Sequence, residues 1–362
     1  MHHFWEIVKE RVIKMKLGVI YGGKSTESLI SITSAFTFLQ WIDFKKYSII
    51  PIYINNKGHW NFGKERIEPF EKQDEMIFSS NDEKEFNEKL HNIDLAIPIL
   101  SGMNGEDGSI QGIFEMFNIP YIGNGIEASA LSMNKILTKR FLKSYGIHLV
   151  KDISIDILTW ETNKKYILDS VSKELQYPVI VKPARLGSSI GISKASNEEE
   201  LLNAINEGFK YDLDLLIERF IKKTEINVAI LQNKDELIIS KPGIVISENE
   251  FYSYEDKYSE ESTAIKRVAE LSDEQNQLLY IYSNKIFNAV KGRGLMRLDF
   301  FIDTKGKIIL NEINTLPSLG GNSVYPYLLN KSGINNEMIV DYLIQSAIDI
   351  HQKKQELYFS YN

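Results

Sequence analysis

Cysteine is absent from this chain of 362 residues. Disulfide bonds, thiolate nucleophiles and cysteine-ligated zinc are therefore excluded, and any catalytic metal must bind oxygen or histidine ligands. The chain also lacks an apolar run near the roughly 20 residues that are needed to span a bilayer. An excess of positive charge is lacking too, since the formal net charge is −7 and nucleic-acid binding needs a dense basic surface. The sequence predicts neither a membrane nor a nucleic-acid partner.

The length and composition are typical of a globular protein with two or three domains. Hydrophobic residues make up 43% of the chain and charged residues 25%, which is the balance of a packed protein rather than a disordered one. Residues 1–14 form an amphipathic segment with Glu6 and Glu10 where a signal peptide would be apolar. We therefore predict a cytoplasmic protein whose first 14 residues are an N-terminal extension.

The first 125 residues alternate apolar runs with mixed, charged segments. The runs at 16–21, 48–54 and 93–100 are short and rich in β-branched residues, so they predict the strands of a parallel α/β sheet. Ligands of such open sheets usually bind at the carboxyl ends of the strands. The glycines Gly22 and Gly23, which follow the first run, are therefore candidates for the rim of a binding crevice.

The rest of the chain predicts an α+β unit. The segment 128–145 has a helical pattern, and 177–192 predicts a hairpin with a glycine-rich tip. Four further strands are predicted at 215–221, 226–231, 296–302 and 307–313, and a terminal helix is predicted at 337–352.

Four polar residues stand on two otherwise apolar strands near the C-terminal end. Arg297 and Asp299 share one strand face, and Glu312 and Asn314 share another, because residues two apart point to the same side of a strand. Two carboxylates and an amide carbonyl are ligands that Mg²⁺ prefers. An arginine beside them can meet a phosphoryl group or an oxyanion. The alternative is a solvated strand face with a surface ion pair, although the apolar neighbours favour buried strands.

Lys182 precedes a loop of small residues, Gly187-Ser-Ser-Ile-Gly191. Such a loop offers backbone N–H groups that can close over a triphosphate, and the lysine can neutralise the phosphate charge. A plain tight hairpin is the alternative interpretation.

The segment from Gly18 to Ser25 matches the P-loop pattern G-x-x-x-x-G-K-S. A true P-loop has a loop between its two glycines, whereas here those positions are the apolar strand itself. We therefore predict that this match is accidental.

Three further residues are weaker candidates. Glu27 follows the glycine turn and could bind a substrate ammonium, although an early-helix glutamate more often complements the helix dipole. Lys257 and Tyr258 lie in a polar, aromatic stretch without periodicity, which predicts a loop that could act as a lid.

Taken together, these segments resemble the D-alanine:D-alanine ligases of the ATP-grasp family. The matching motifs are GGKSTES, GEDGSIQG, IPYIG with ASALSMNK, YPVIVKPARLGSSIG, LIERFI with TEINVAIL, FYSYEDKY, and RLDFF with NEINTLP, in that order. The resemblance implies a three-domain ATP-grasp fold of α/β and α+β type. It has an N-terminal parallel α/β domain at 15–123, a central ATP-grasp subdomain at 124–221 and a C-terminal α+β catalytic domain at 222–362.

The resemblance also implies the residues that bind nucleotide and metal. ATP would lie between the central and C-terminal domains, with two Mg²⁺ ions that Mn²⁺ could replace. The implied nucleotide ligands are Lys135, Lys182, Ser188, Ser189, Glu218, Arg219, Phe220, Ile221, Glu225 and Asn311. The implied metal ligands are Asp299, Glu312 and Asn314.

For the amino-acid substrates, the resemblance implies that Glu27 binds the first ammonium group, and that a link from Glu27 through Ser188 to Tyr258 closes the lid. Arg297 would stabilise the tetrahedral oxyanion together with the backbone at Ser318. Lys257 and Ser323 would hold the second carboxylate.

Three positions depart from the family pattern. Ser101 replaces a histidine, Asn134 an aspartate and Ser318 a glycine.

The activity that the resemblance implies is the ligation of two D-alanines for peptidoglycan synthesis, and the implied assembly is a homodimer. Tyr258 favours a second D-alanine over D-lactate. The alternatives are a paralogue that joins other small D-amino acids, suggested by Ser101 and Ser318, and a nucleotide-binding regulator without turnover.

Overall fold

Three β-sheets follow one another along the chain in the computed structural model, which describes residues 14–80, 85–187, 190–246, 265–321 and 323–357. The predicted extension at 1–14 falls almost wholly outside these residues. Within the described ranges, no helix is both long and apolar enough to cross a membrane.

The first sheet forms from the apolar runs near the N-terminus. Its elements are β1 (Met15–Gly22), α1 (Ser28–Leu39), β2 (Tyr47–Ile54), β3 (Trp60–Phe62), α2 (Phe86–His91), β4 (Leu95–Pro98) and α3 (Ser109–Met116). The order is β3-β2-β1-β4, in which β1 is parallel to β2 and β4 while β3 is antiparallel. The last six residues of β1 are buried, as expected for a central strand of a parallel sheet. The predicted parallel sheet is confirmed.

The P-loop-like segment is part of this sheet. Gly18 pairs with Ile50 and Ala96 inside it, so no loop separates Gly18 from Gly23. Gly22 has a φ of 90°, and a Cβ there would lie 2.2 Å from the carbonyl oxygen of Ile54. Glycine is therefore required for the turn itself, and the motif match is accidental as predicted.

The second sheet is antiparallel throughout and follows a pair of helices. The elements are α4 (Ile126–Met133), α5 (Lys135–Leu142), β5 (Asp152–Asp156), α6 (Ile157–Ser170), β6 (Val179–Pro183), β7 (Ser193–Ala195), α7 (Glu198–Gly208) and β8 (Asp214–Arg219). The order is β5-β8-β6-β7. β6 and β7 form the predicted hairpin, and its tip carries the glycine-rich loop. Trp160, Leu175 and Ile205 lie in the core beneath this sheet.

The third sheet is the largest. Its elements are β9 (Lys223–Asn233), β10 (Glu236–Ile239), β11 (Gly243–Ile246), β12 (Ile265–Val268), α8 (Asp273–Ala289), β13 (Leu295–Asp303), β14 (Ile308–Asn314), α9 (Val324–Lys331) and α10 (Asn336–Gln355). The order is β12-β11-β9-β13-β14, with β10 paired to β9. The sheet is antiparallel.

The two faces of the third sheet bury different partners. One face packs on α4, α5 and α8, where Ala128, Leu142 and Phe287 join the strand residues. The other face packs on the first sheet and on α9 and α10 through residues such as Tyr325 and Leu343. Helices α4 and α5 thus belong to the core of the third sheet, although they precede the second sheet in the chain. The predicted domain limits stay a prediction.

Asn124 joins the part of the chain that carries the first sheet (the first region, residues 14–124) to the part that carries the third sheet (the third region, residues 223–357). Its side chain is buried, with 2% exposure. The Nδ2 atom donates to the carbonyl oxygens of Leu295 (2.5 Å) and Thr315 (2.7 Å), and Oδ1 accepts from the backbone N–H of Arg293 (2.8 Å). One side chain therefore satisfies three backbone groups of the third region.

We expect Asn124→Ala to destabilise the protein by about 2–4 kcal/mol, because these three backbone groups would be left without their partner in a dry environment. The free energy of unfolding from urea titration measures this. Asn288→Ala is the matched control, since that exposed asparagine donates to a carbonyl within its own helix, α8. A loss in Asn124→Ala no larger than that of the control would show that Asn124 does not join the two regions.

Candidate active site

A cleft opens between the second and third sheets, and the junction of two structural units is a common place for ligand binding. Both sheets and helix α5 contribute to its walls. The lining residues are Lys135, Val150, Ile180, Lys182, Leu186, Gly187, Ile192, Glu218, Arg219, Phe220, Ile221, Lys223, Glu225, Phe301, Asn311 and Glu312. Every described residue of the predicted nucleotide site is among them. Ser188 and Ser189 lie outside the described residues.

One part of the cleft wall is apolar. Val150 and Phe301 pack in a small cluster with Ile221, and Ile180 and Ile192 also line the cleft. Flat apolar surface of this kind suits a purine base.

Two predicted residues of this wall are already engaged in protein contacts. The guanidinium of Arg219 donates to the carbonyl oxygens of Leu175 (2.7 Å) and Glu174 (3.2 Å), and the ring of Phe220 lies 4.3 Å from the ammonium of Lys194. The charged group of Arg219 is therefore used outside the cleft.

Lys135 is the first residue of α5 and points into the cleft. Asn134 caps this helix, because its Oδ1 accepts from the N–H groups of Ile136 and Leu137 (both 3.1 Å). Asparagine and aspartate cap helices equally well, so Asn134 preserves the placement of Lys135. The Lys135 ammonium donates to the Leu186 carbonyl (2.5 Å), and burial lowers its pKa.

Lys182 and Glu218 belong to a buried cluster of opposite charges. Glu218 binds Lys139 through Oε1 (2.5 Å) and Lys182 through Oε2 (2.6 Å), and Lys139 also contacts Asp152 (2.8 Å). Burial alone would raise the pKa of Glu218, but Lys182 and Lys139 together hold it at about 2. The carboxylate therefore stays charged and holds Lys182 in the cleft.

Lys139 was missed by the sequence analysis. It lies one helical turn after Lys135, so the two lysines share a face of α5. That spacing was the only signal in the sequence, and it does not indicate the carboxylates on other elements.

Asn311 and Glu312 both face the cleft because the pairing of β13 with β14 shifts at this point. Asp299 pairs with Glu312, whereas the next residue, Phe300, pairs with Leu310. Asn311 is thus the extra residue of a β-bulge, which lets two successive side chains line one cleft. Asn311 accepts from Lys182 (3.4 Å), and Glu312 lies 3.9 Å from Lys135.

The four polar residues of the predicted metal site form one face of a single sheet. Arg297 pairs directly with Asn314, and Asp299 pairs with Glu312. The pairing of the neighbouring antiparallel strands β13 and β14 thus brings the two predicted strand faces together. Asp299 is buried, with 1% exposure, which also excludes the solvated strand face.

Asp299 accepts hydrogen bonds from three side chains. Arg297 donates to both carboxylate oxygens (2.8 Å each), Asn227 donates to Oδ1 (2.7 Å) and Asn314 donates to Oδ2 (3.0 Å). The two hydrogen bonds from Arg297 fix its guanidinium beside the Asp299 carboxylate.

The oxygen groups of Asp299, Glu312 and Asn314 suit Mg²⁺, which binds few protein carboxylates and shares its shell with phosphates. The described residues contain no cluster of three or more histidines and carboxylates, so a purely protein-built metal cage is absent there. Each Asp299 oxygen already accepts two hydrogen bonds, so coordination of a cation by Asp299 requires one of these donors to move.

Glu27 lies where the first region meets the hairpin tip. It is the residue before α1, and its side chain makes no capping hydrogen bond to this helix. A Cβ at Gly102, which has a φ of 72°, would lie 2.2 Å from Glu27 Oε2, and one at Gly187 would lie 3.9 Å from Oε1. Gly187 immediately precedes Ser188, so the predicted link between Glu27 and the hairpin tip fits this placement.

Glu106 is a second acidic residue beside Glu27 that the sequence analysis did not single out. Its Oε1 accepts from the Gly102 N–H (2.9 Å). Burial and the nearby charge of Glu27 raise the pKa of Glu106 to about 8. The GEDG motif was its only sequence signal.

Two of the remaining predicted residues, Ser318 and Ser323, lie around the start of α9. Ser323 is the residue before this helix, and Ser318 Oγ lies 2.7 Å from Ser323 Oγ. Ser101 follows β4. Lys257 and Tyr258 lie outside the described residues.

Comparison with known proteins identifies the family. The model for the D-ala D-ala ligase N-terminus matches residues 16–124, and the model for the D-ala D-ala ligase C-terminus matches residues 141–345. A D-alanine–D-alanine ligase of Bacillus licheniformis is 35% identical over 358 residues, which cover 95% of this chain and 99% of that protein.

Solved structures agree over the whole length. The D-alanine–D-alanine ligase from Coxiella burnetii has a TM-score of 0.77 and 28% identity, and covers 95% of this chain and 98% of its own. The Bacillus anthracis D-alanine–D-alanine ligase complexed with ATP has a TM-score of 0.73 and 25% identity, and covers 94% and 99%. These likenesses confirm the predicted ATP-grasp fold, and the chain belongs to the D-alanine:D-alanine ligase family.

Proposed function

We propose that the chain joins two D-alanine molecules in an ATP-dependent reaction that yields D-alanyl-D-alanine, ADP and phosphate for peptidoglycan synthesis. The observation that carries this proposal is the cleft between the second and third sheets, where the fold brings Lys135, Lys182, Asn311 and Glu312 together. These residues come from α5, β6 and β14. The arrangement suits phosphoryl transfer, because that reaction depends on positioning and on charge neutralisation.

In the proposed first step, a carboxylate oxygen of one D-alanine attacks the γ-phosphorus of ATP, the bond to the β,γ-bridging oxygen breaks, and ADP leaves. Lys135 and Lys182 offset the negative charge of the phosphates. Glu27 binds the ammonium group of this D-alanine. The apolar wall with Ile221 and Phe301 takes the base, and Glu225 takes the ribose.

In the proposed second step, the amine of the other D-alanine attacks the carbonyl carbon of the acyl phosphate. The tetrahedral oxyanion is stabilised by Arg297 and by the backbone N–H at Ser318. The C–O bond to phosphate then breaks, and the proton of the attacking nitrogen is lost to solvent or to a buffering side chain. Ser323 and Lys257 hold the carboxylate of the second substrate. Ser188 and Tyr258 close the site, which protects the acyl phosphate from water.

Asp299, Glu312 and Asn314 are proposed to hold two Mg²⁺ ions together with the phosphates of ATP. When bound, the ions would neutralise charge on the transferring phosphoryl group. Mn²⁺ can take the same oxygen ligands. A cytoplasmic location is inferred from the need for ATP, and a homodimer from the family resemblance.

Two alternatives remain testable. Ser101 and Ser318 favour a paralogue with another small D-amino acid as substrate, because both replace family residues near the amino-acid pockets. A regulator without turnover is disfavoured by the placement of Arg297, Asp299 and Glu312 on one buried face.

Glu312→Gln tests the proposed metal site. Phosphate release from Mg-ATP should depend on D-alanine and should exceed release with L-alanine, D-serine or D-lactate. It should fall about 100-fold or more in Glu312→Gln, because a neutral amide binds the metal poorly.

Glu236→Gln, at an exposed site on β10, is the matched control and should keep wild-type rates. Turnover only with D-serine or another amino acid would favour the paralogue. ATP binding without phosphate release for any substrate would favour the regulator.

Lys223 lines the cleft and is expected to change its protonation when a nucleotide binds. Burial lowers its pKa to about 8, against the opposing attraction of Glu225. A bound nucleotide anion should raise this pKa again. Binding should therefore take up a proton near pH 8, and ADP affinity should be highest below that pH and weaken as the pH rises through it.

Calorimetry of ADP binding in buffers of different ionisation enthalpy measures this proton uptake. Lys223→Arg should lose the uptake centred on this group, because arginine stays charged throughout the range. Equal proton uptake in Lys223→Arg and wild type would assign the effect to another group.

A further inference from the structure

Three serine hydroxyls form a chain at the start of α9. Ser34 Oγ, on α1, lies 2.9 Å from Ser318 Oγ, and Ser318 Oγ lies 2.7 Å from Ser323 Oγ. Ser34 is buried. The chain therefore runs from the first region of the protein to the residue that is proposed to bind the second D-alanine.

Ser323 does not use its hydroxyl as serines before helices usually do. It occupies the N-cap position of α9 with extended backbone angles, yet its side chain makes no capping hydrogen bond. One reason is local, since Pro326 occupies the third helical position and has no N–H to donate. The hydroxyl is instead held by Ser318.

Either oxygen of each pair can be the donor, and one of the allowed directions leaves the Ser323 proton for a ligand. Each hydroxyl donates one proton and accepts two. Ser318 Oγ already receives the N–H of Gly320 (3.4 Å), so it can accept from Ser34 and donate to Ser323. The hydroxyl proton of Ser323 is then left for an acceptor other than these three serines. The N-terminus of a helix beside it favours an anion as that acceptor.

The backbone beside the three serine hydroxyls leaves room for this arrangement. A Cβ at Gly320 would lie 3.2 Å from Ser34 Oγ, 3.3 Å from Ser323 Oγ and 3.6 Å from Ser318 Oγ. Glycine at this position therefore lets all three hydroxyls approach the loop.

We propose that Ser318 and Ser34 are positioning residues, which orient the Ser323 hydroxyl toward the carboxylate of the second D-alanine. This inference rests on the proposed function. It gives the side chain of Ser318 a role separate from that of its backbone N–H, and it makes binding of the second substrate depend on α1, an element of the first region.

The test compares two acceptors of the same acyl phosphate. Wild type and Ser318→Ala are incubated with Mg-ATP and D-alanine, with and without hydroxylamine, and both dipeptide and D-alanyl hydroxamate are measured. Hydroxylamine also attacks the carbonyl carbon and releases phosphate, but it has no carboxylate for Ser323 to bind. Hydroxamate formation thus reports the first step and the folded state of the same protein.

We expect Ser318→Ala to raise the second-substrate KM about tenfold, because the Ser323 hydroxyl is no longer oriented and its hydrogen bond to the charged carboxylate is lost. Ser34→Ala should raise the same KM. Ser34 lies outside the proposed catalytic machinery, so hydroxamate formation and the KM for ATP should stay at wild-type values in that variant. Ser318→Thr, which keeps the hydroxyl, should restore the second-substrate KM. Thr33→Ala, an exposed site on the same helix, is the matched control.

An unchanged second-substrate KM in Ser318→Ala, with normal hydroxamate formation, would overturn the positioning role and leave the proposed function intact. Equal losses of dipeptide and hydroxamate would also overturn it, since the defect would then lie in folding or in the first step. If wild type formed neither product, the proposed function itself would be wrong.

Discussion

The burial of Glu218 between two lysines is the interaction on which the cleft depends. An unpaired carboxylate in this position would be costly, so Lys139 and Lys182 must be held on either side of it. Lys139 comes from α5, Lys182 from β6 and Glu218 from β8, while Asp152 of β5 balances the second positive charge. The four groups carry no net charge together. They tie a helix that packs on the third sheet to three strands of the second, and so set the spacing of the cleft walls.

The ladder between β13 and β14 supplies the opposite wall. Its register places Asp299 across from Glu312, and the bulge turns Asn311 toward the cleft beside Glu312. The same ladder holds Arg297 against Asp299. The arginine neutralises the buried carboxylate, so the charge of Asp299 is balanced without a cation.

The first region shares an apolar core with the third sheet, and a few polar contacts add to this packing. Asn124 satisfies three backbone groups of the third region, and Ser34 contacts Ser318 beside α9. Glu27 lies near the hairpin tip at Gly187. The proposed amino-acid end of the site therefore draws on all three regions, whereas the proposed nucleotide end needs only two.

The sequence by itself determined the strands and part of the chemistry. Apolar runs predicted β1, β6, β13 and β14, because burial of alternate or all side chains leaves a local pattern. The two-residue period placed Arg297 beside Asp299, and the motif order indicated the family. These features depend on residues close together in the chain.

Only the tertiary structure decided which distant groups meet. Ser34 and Ser318 are 284 residues apart, and Lys139 and Glu218 are 79 apart. The bulge that turns Asn311 into the cleft breaks the two-residue period from which its orientation would be predicted. Local patterns record whether a side chain is buried but not which partner it meets, because the partner is set by how whole sheets and helices pack.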